Sequence, residues 1–325
     1  MTAIGIGIGV PFCVAKAGAV APWTPASLPS QVGRWDSLSG ITLGGTLMGF
    51  GTSPPVITLT ATPGTPTAML LDCPLGGARG VATLRHSFDN GATWSSAQVT
   101  AASMTFGGFS ATVANTTFTT DNTWNTTVAT WANQGGTGDP TMATAANQPL
   151  YVYDASFACP VVKGLMSAAT RLISASGGIT GDSAFTLYSV GRFVTTSALA
   201  AHAAIGNSST ALQGSYVGYT AADLAVYGTG ATATPTGAAL STGTIYRHGK
   251  VHASAAGADQ GYLNGAVDGS ASAGRTYALT AGFVLLARNS GTALTNSSLR
   301  YVVAMNAAIG APDLALLDAY YDGLY

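Results

Sequence analysis

Thirteen aspartates supply every carboxylate side chain of this 325-residue chain, which contains no glutamate, and only three lysines and nine arginines oppose them. Carboxylate-pair chemistry, such as most glycoside hydrolysis, would have to run on aspartate alone, and no spacing among the aspartates marks a catalytic pair. The one cluster of titratable cations is Tyr246-Arg247-His248-Gly249-Lys250-Val251-His252. In an extended chain His248, Lys250 and His252 project from one face together with Tyr246. The two histidines would then stand roughly 13 Å apart, too far to share a metal ion. The segment reads as a solvated sheet face, with a patch for a glycan or a protein partner as the other reading. His202 and His86 have no nucleophile or carboxylate pattern beside them and are assigned no chemistry. Neither a metal nor a cofactor is expected.

Sugar binding stacks a pyranose face on an aromatic ring while Asn and Asp fix the hydroxyls. Tyr216, Tyr219 and Tyr227, interleaved with Gly214, Gly218 and Asp223, would furnish such a platform, and ordinary sandwich packing is the alternative for each ring. Cys13, Cys73 and Cys159 are odd in number and far apart, which predicts buried small side chains and no disulfide framework. Ser87-Phe88-Asp89-Asn90-Gly91-Ala92-Thr93-Trp94 fits the Asp-box pattern S-x-D-x-G-x-T-W. Asp89 is placed to accept backbone N–H groups within the turn, Gly91 to supply positive φ and Trp94 to cover the hairpin base, so Ser87, Asp89, Gly91 and Trp94 read as a structural hairpin. Sialidases carry several such boxes away from their chemistry. A single box without glutamate or a recognisable arginine triad argues against a sialidase.

Charged residues are 8% of the chain, against about a quarter in ordinary soluble domains, while 47% is hydrophobic and the net charge is −1. A near-neutral chain repels its own copies little and suits a dense assembly. The scattered cations form no basic stripe, so nucleic acid is not an expected partner. No apolar run reaches membrane-span length, and no membrane insertion is expected. Residues 4 to 21 are largely apolar and Ala19-Val20-Ala21 resembles a signal-peptidase site, yet there is no basic leader, and Lys16 and Pro11 interrupt the run. Ile4, Ile6, Ile8 and Val10 alternate with glycine, which fits an extended assembly arm able to add to a neighbour as a strand, with a flexible leader as the other reading.

Three segments follow from these patterns. Residues 1–50 read as an N-terminal arm or assembly segment, anchored by Trp23 and Trp35. Residues 51–131 carry short alternating strands with turn signals every eight to twelve residues, the rhythm of a small β-sandwich. A Gly/Asn/Gln-rich stretch, 133–140, precedes a second all-β unit over 132–325, with strands expected at Phe185–Val190, Ser215–Tyr219, Ile245–Ala253 and Leu299–Met305. Pro312 followed by Leu314, Leu317, Tyr321 and Leu324 predicts one closing amphipathic helix.

The stretch Gly80 to Trp94, continuing through Phe109–Val113 to Trp124, resembles a small β-sandwich module of tailed-bacteriophage virion proteins, and Ile4 to Phe12 resembles the start of such proteins. Residues 132–325 are similar to the concanavalin A-like (laminin-G-like) jelly-roll family, through Trp131–Gln134, Gln148-Pro149, Phe185–Phe193, Gly261–Gly265 and Leu314–Tyr320. The resemblance implies loops that bind glycans or proteins. It also implies no glycanase of that family, whose E-x-D-x-x-E strand a glutamate-free chain lacks. The expectation is therefore a non-enzymatic virion structural protein of tail, baseplate, fibre or head, with a lectin-like outer domain for adhesion. Its expected partners are other virion proteins, its own copies and a host-surface glycan. The alternatives are a secreted carbohydrate-active enzyme using aspartates and a purely structural capsid decoration.

Overall fold

The computed structural model describes residues 24–28, 30–136, 138–194, 199–206, 213–229, 236–254, 259–269, 276–280, 282–288 and 295–325. Ile4, Ile6, Ile8, Val10, Cys13 and Trp23 lie outside them. The described chain is all-β apart from short 3-10 turns and a closing helix, Ala311–Asp322.

The first sandwich sets a five-stranded sheet, ordered Met48–Phe50, Thr123–Asn125, Leu70–Leu75, Thr83–Ser87 and Gln98–Val99, against the three strands Ile57–Ala61, Phe109–Val113 and Ser103–Phe106. Period-two burial drives this arrangement: Ile57 and Leu59, then Phe109, Ala111 and Val113, turn inward while their neighbours face out. They meet Leu71, Leu84, Phe106 and Trp124 in one core. Trp124 Nε1 donates to Pro55 O at 2.8 Å, so the indole is buried without an unpaired donor.

The second sandwich is built round the antiparallel strands Phe185–Arg192 and Ser298–Met305. They sit in an eight-stranded sheet with Leu150–Asp154, Cys159–Lys163, Ile245–His252, Asp259–Leu263 and Ala266–Asp268. The facing six-stranded sheet contains Leu172–Ser174, Phe283–Leu285, Ala200–Gly206, Gly214–Tyr219, Leu224–Val226 and Thr236–Ala239. Phe185, Leu187, Leu299 and Val302 pack inward against Ala203, Ile205, Val217 and Leu285. The other face of the large sheet, carrying Tyr188, Val190, Tyr301 and Val303, is covered by Leu314, Leu317 and Tyr321 of the helix. Central strands buried on both faces explain why they read as nearly continuous apolar runs.

Residues 31–50 do not hang free as an arm. Gln31–Asp36 pairs with Ser298–Met305 in the large sheet, Ile41–Leu43 pairs with Val128–Trp131, and Met48–Phe50 lies in the first sandwich. Trp35 is fully buried between the sheets, edge-on to Phe283 at 5.0 Å, and a Cβ on Gly33 would overlap its ring. Asn133 accepts from Arg34 N at 3.0 Å and donates to Val32 O at 2.9 Å, so the start of the Gly/Asn/Gln-rich stretch lies along this strand. The first sandwich is thus inserted between two stretches that both belong to the second. Replacing Trp35 by Ala is expected to cost about 3–5 kcal/mol in denaturant unfolding; a change below about 1 kcal/mol would mean that the residue is peripheral.

Candidate functional site

The residues singled out as a binding surface lie inside the protein. Alternation along Ile245–His252 does place Tyr246, His248, Lys250 and His252 on one face, but that face looks into the sandwich, and the last three are 0% exposed. The opposite face is taken by the helix, where Arg247 Nε meets Asp318 Oδ1 at 2.7 Å. A strand with polar residues on both faces gives no sign of which one is wet, so the solvated-face reading is corrected here. Tyr216, Tyr219 and Tyr227 are also 0% exposed and offer no ring to a ligand. Asp223 is half-buried in the turn after Gly214–Tyr219, with φ of 55°.

Burial is balanced around Lys250 and unbalanced around His248. Lys250 Nζ lies 3.1 Å from Asp259 Oδ2 and donates to Gly228 O at 2.7 Å and Thr229 Oγ1 at 3.0 Å. Asp259 also accepts from Tyr277 OH at 2.6 Å and faces His252 Nδ1 at 3.0 Å, while His252 Nε2 faces Asp182 at 3.3 Å. Desolvation opposes ionisation of Asp259, but the His252 hydrogen bond, the Lys250 charge and Tyr277 outweigh it and hold its carboxyl well below the usual range. His248 and His202, by contrast, sit with ring centroids 5.3 Å apart, and none of their four ring nitrogens has a hydrogen-bond partner among the described residues. Burial pushes His248 down to about 4, and burial plus the neighbouring His248 pushes His202 well below the ordinary histidine value.

Among the described residues no three His, Cys or Asp side chains gather so as to hold a metal ion, and no helix is long and apolar enough to cross a membrane. Cys73 and Cys159 are buried free thiols.

The open chemistry lies elsewhere, at the ends of strands where the two sandwiches meet. Val128 N donates to Pro149 O and Tyr151 N to Thr126 O, each at 2.8 Å, fastening Leu150–Asp154 to the first sandwich. Beside this seam a cleft of about 250 Å³ is lined by Asn90, Tyr153, Asp154, Ser156, Lys163, Arg192 and Ser298, among others. Lys163, Ser298 and Arg192 terminate three neighbouring strands and stand opposite one another in register. Asp154 Oδ2 accepts from Arg192 Nε at 2.7 Å and Ser298 Oγ at 2.8 Å, and its Oδ1 caps the turn through Ser156 N at 3.0 Å. Burial lowers the Lys163 ammonium below the usual lysine range; the Arg192 charge adds to this and Asp154 opposes it.

Asn90, at the tip of the Asp-box turn, closes the far wall. The turn is wired internally: Ser87 Oγ accepts from Gly91 N at 2.8 Å, and Asp89 accepts from Thr93 N at 2.8 Å and Thr93 Oγ1 at 2.6 Å. Gly91 has φ of 93°, Trp94 lies against it, and Arg85 stacks on the indole at 4.5 Å. This wiring holds Asn90 at φ 56°. Tyr153, Asp154, Lys163 and Arg192 escape sequence reading because up to 39 positions separate them. Their only signal is the scarcity of lysine.

No family model matches the chain, and no curated protein matches it. Among solved structures it is similar to a Trypanosoma rangeli sialidase in complex with the inhibitor DANA, at 12% identity and a TM-score of 0.44 over 60% of this chain and 32% of that one. It is also similar to a structure of botulinum neurotoxin type C (10%, TM-score 0.34, 46% and 39%) and to the native heptameric SAP-like pentraxin of Limulus polyphemus (10%, TM-score 0.33, 43% and 71%). The chain spans about a third of the length of the sialidases it matches. What is shared is an all-β sandwich fold. The expectation of a chain that is not an enzyme does not stand, since sialidases, which are enzymes, are among the similar structures; the likeness is one of fold and assigns no activity to this chain. Lack of glutamate removes one catalytic arrangement and not catalysis.

The buried histidine pair makes stability pH-dependent. His248 stays neutral in the folded chain down to about 4, whereas in the unfolded chain it takes up a proton near 6.5. The unfolded state therefore binds more protons between those values, and stability falls as pH falls, by about 3 kcal/mol for this residue. Urea midpoints at pH 7 and pH 4.5 are expected to differ accordingly, and His248→Leu is expected to reduce the difference, with His202 supplying what remains. An equal loss in that variant would place the titration elsewhere.

Proposed function

We propose that the chain is a saccharide-binding adhesion protein whose ligand enters the cleft between the Asp-box turn and the strand ends bearing Tyr153, Asp154, Lys163, Arg192 and Ser298. The observation that carries this reading is the convergence, in a chain with few charges, of two cations, a carboxylate, hydroxyls and an amide beside the half-exposed ring of Tyr153. Such a set matches the many donors and acceptors of a sugar, with an aromatic face for its C–H groups. At about 250 Å³ the cleft suits one sugar ring, since larger ligands occupy about 300–1,000 Å³. In an NMR titration with mono- and disaccharides, Tyr153→Ala is expected to weaken binding about tenfold, or about 1.4 kcal/mol. Unchanged affinity would move the site away from this cleft.

The setting we propose is the particle of a tailed bacteriophage, with other virion proteins and copies of this chain as partners and a host-surface glycan as ligand. Its support is the likeness of Gly80–Trp124 to virion modules and the sparse, nearly neutral charge that favours dense assembly. Repetition on a particle would raise a weak single-site contact into avid attachment. Antibody against this chain is expected to label purified particles at regular positions. Label confined to unassembled protein would remove the virion setting and leave the saccharide site untouched.

A further inference from the structure

Resting on the saccharide reading, we propose that the cleft selects a carboxylate-bearing sugar, whose acid group lies between the Lys163 ammonium and the Arg192 guanidinium. The charges of the cleft do not balance. Asp154 is the only carboxylate lining it, and both its oxygens are occupied by Arg192 Nε, Ser298 Oγ and Ser156 N. Arg192 spends one nitrogen on that contact, and its two terminal nitrogens make no hydrogen bond among the described residues, leaving part of a planar fork for a second carboxylate. Lys163 has no hydrogen-bond acceptor and no carboxylate within 4.0 Å of its ammonium among the described residues. The other lysine described, Lys250, is fully buried and fully paired, so this fold does satisfy a lysine where no ligand is to be met.

Two cations and one anion leave a net charge of about +1 in a cleft partly screened from water, which a monoanion neutralises. A partly buried ammonium beside a guanidinium is destabilised by desolvation and by like charge, and both penalties shrink when an anion arrives. A carboxylate meets this demand with one charge and a planar pair of oxygens. The ring that carries it fills the remaining space between Tyr153, Ser156 and Asn90.

The test uses the full chain with its lysines reductively methylated with a carbon-13 label, which keeps their charge, and the Lys163 signal assigned through Lys163→Arg. Glucuronic and galacturonic acids are titrated beside glucose, galactose and acetate. The uronic acids are expected to shift the Lys163 signal, raise its pKa and bind at least tenfold more tightly than the matching neutral sugars. Lys163→Met is expected to abolish that preference, and the wild-type titration decides the matter if the variant misfolds. Equal affinity for acidic and neutral sugars with an unmoved Lys163 signal would overturn acid selection and leave the saccharide site standing. Acetate binding as tightly as the uronic acids would overturn the sugar component, and silence from every sugar would overturn both readings.

Discussion

The antiparallel pairing of Gln31–Asp36 with Ser298–Met305 joins the two ends of the described chain in one sheet, and the meeting of the sandwiches depends on it. Three anchors hold the pairing. Trp35 fills the space between the sheets of the second sandwich, Arg300 forms an ion pair with Asp36, and Ser37 Oγ donates to Pro160 O at 2.6 Å. Closing so long a loop carries a conformational entropy cost that grows slowly with length, and burial of one tryptophan and its neighbours is large enough to offset much of it. Once the ends are joined, the inserted sandwich has little freedom to swing. Thr126, at the end of the inserted sandwich, and Val128 then hydrogen-bond to Tyr151 and Pro149, and the Asp-box turn comes to rest over the strand ends.

A chain with so few charges has to place each one deliberately, and the fold sorts them by environment. Arg247 ties the closing helix to the large sheet through Asp318 and Asp322. Lys250, Asp259, His252, Tyr277 and Thr229 form a satisfied network in the interior, where an unpaired charge would be strongly unfavourable. The His202–His248 pair is the departure from that economy: two imidazoles are held neutral by their surroundings with no hydrogen-bond partner among the described residues. Lys163 and Arg192 differ from both groups, being half-buried, adjacent and incompletely matched. That difference separates the cleft from the interior networks, even though the interior holds the denser cluster of titratable groups.

Much of the fold was legible from local patterns. Alternation marked Ile57–Ala61 and Ile245–His252, the Leu314, Leu317, Tyr321 spacing marked the helix, and apolar content marked Phe185–Arg192 and Ser298–Met305, which are buried on both faces. Residues 31–36 were misread as an arm because a short strand flanked by Gly and Pro carries too weak a periodic signal, and its partner lies over 260 positions away. The site was less legible still. The cluster from His248 to His252 drew attention because its members are neighbours in sequence, whereas the cleft joins the run 152–156 to Asn90, Lys163, Arg192 and Ser298 only in space.

What the amino-acid order determined by itself is the chemistry on offer and its local geometry. It set an all-β chain without glutamate, with few cations, and an Asp-box turn whose side chains satisfy its own backbone. Which face of Ile245–His252 met the core, and which lysine remained near solvent, were decided by tertiary packing. A strand polar on both sides is assigned its inner face only by what covers the other, and here the closing helix took Arg247 and left His248, Lys250 and His252 to the interior. The cleft likewise exists because strand ends from distant parts of the chain align in register beneath a turn from another sandwich, a juxtaposition that no local pattern encodes.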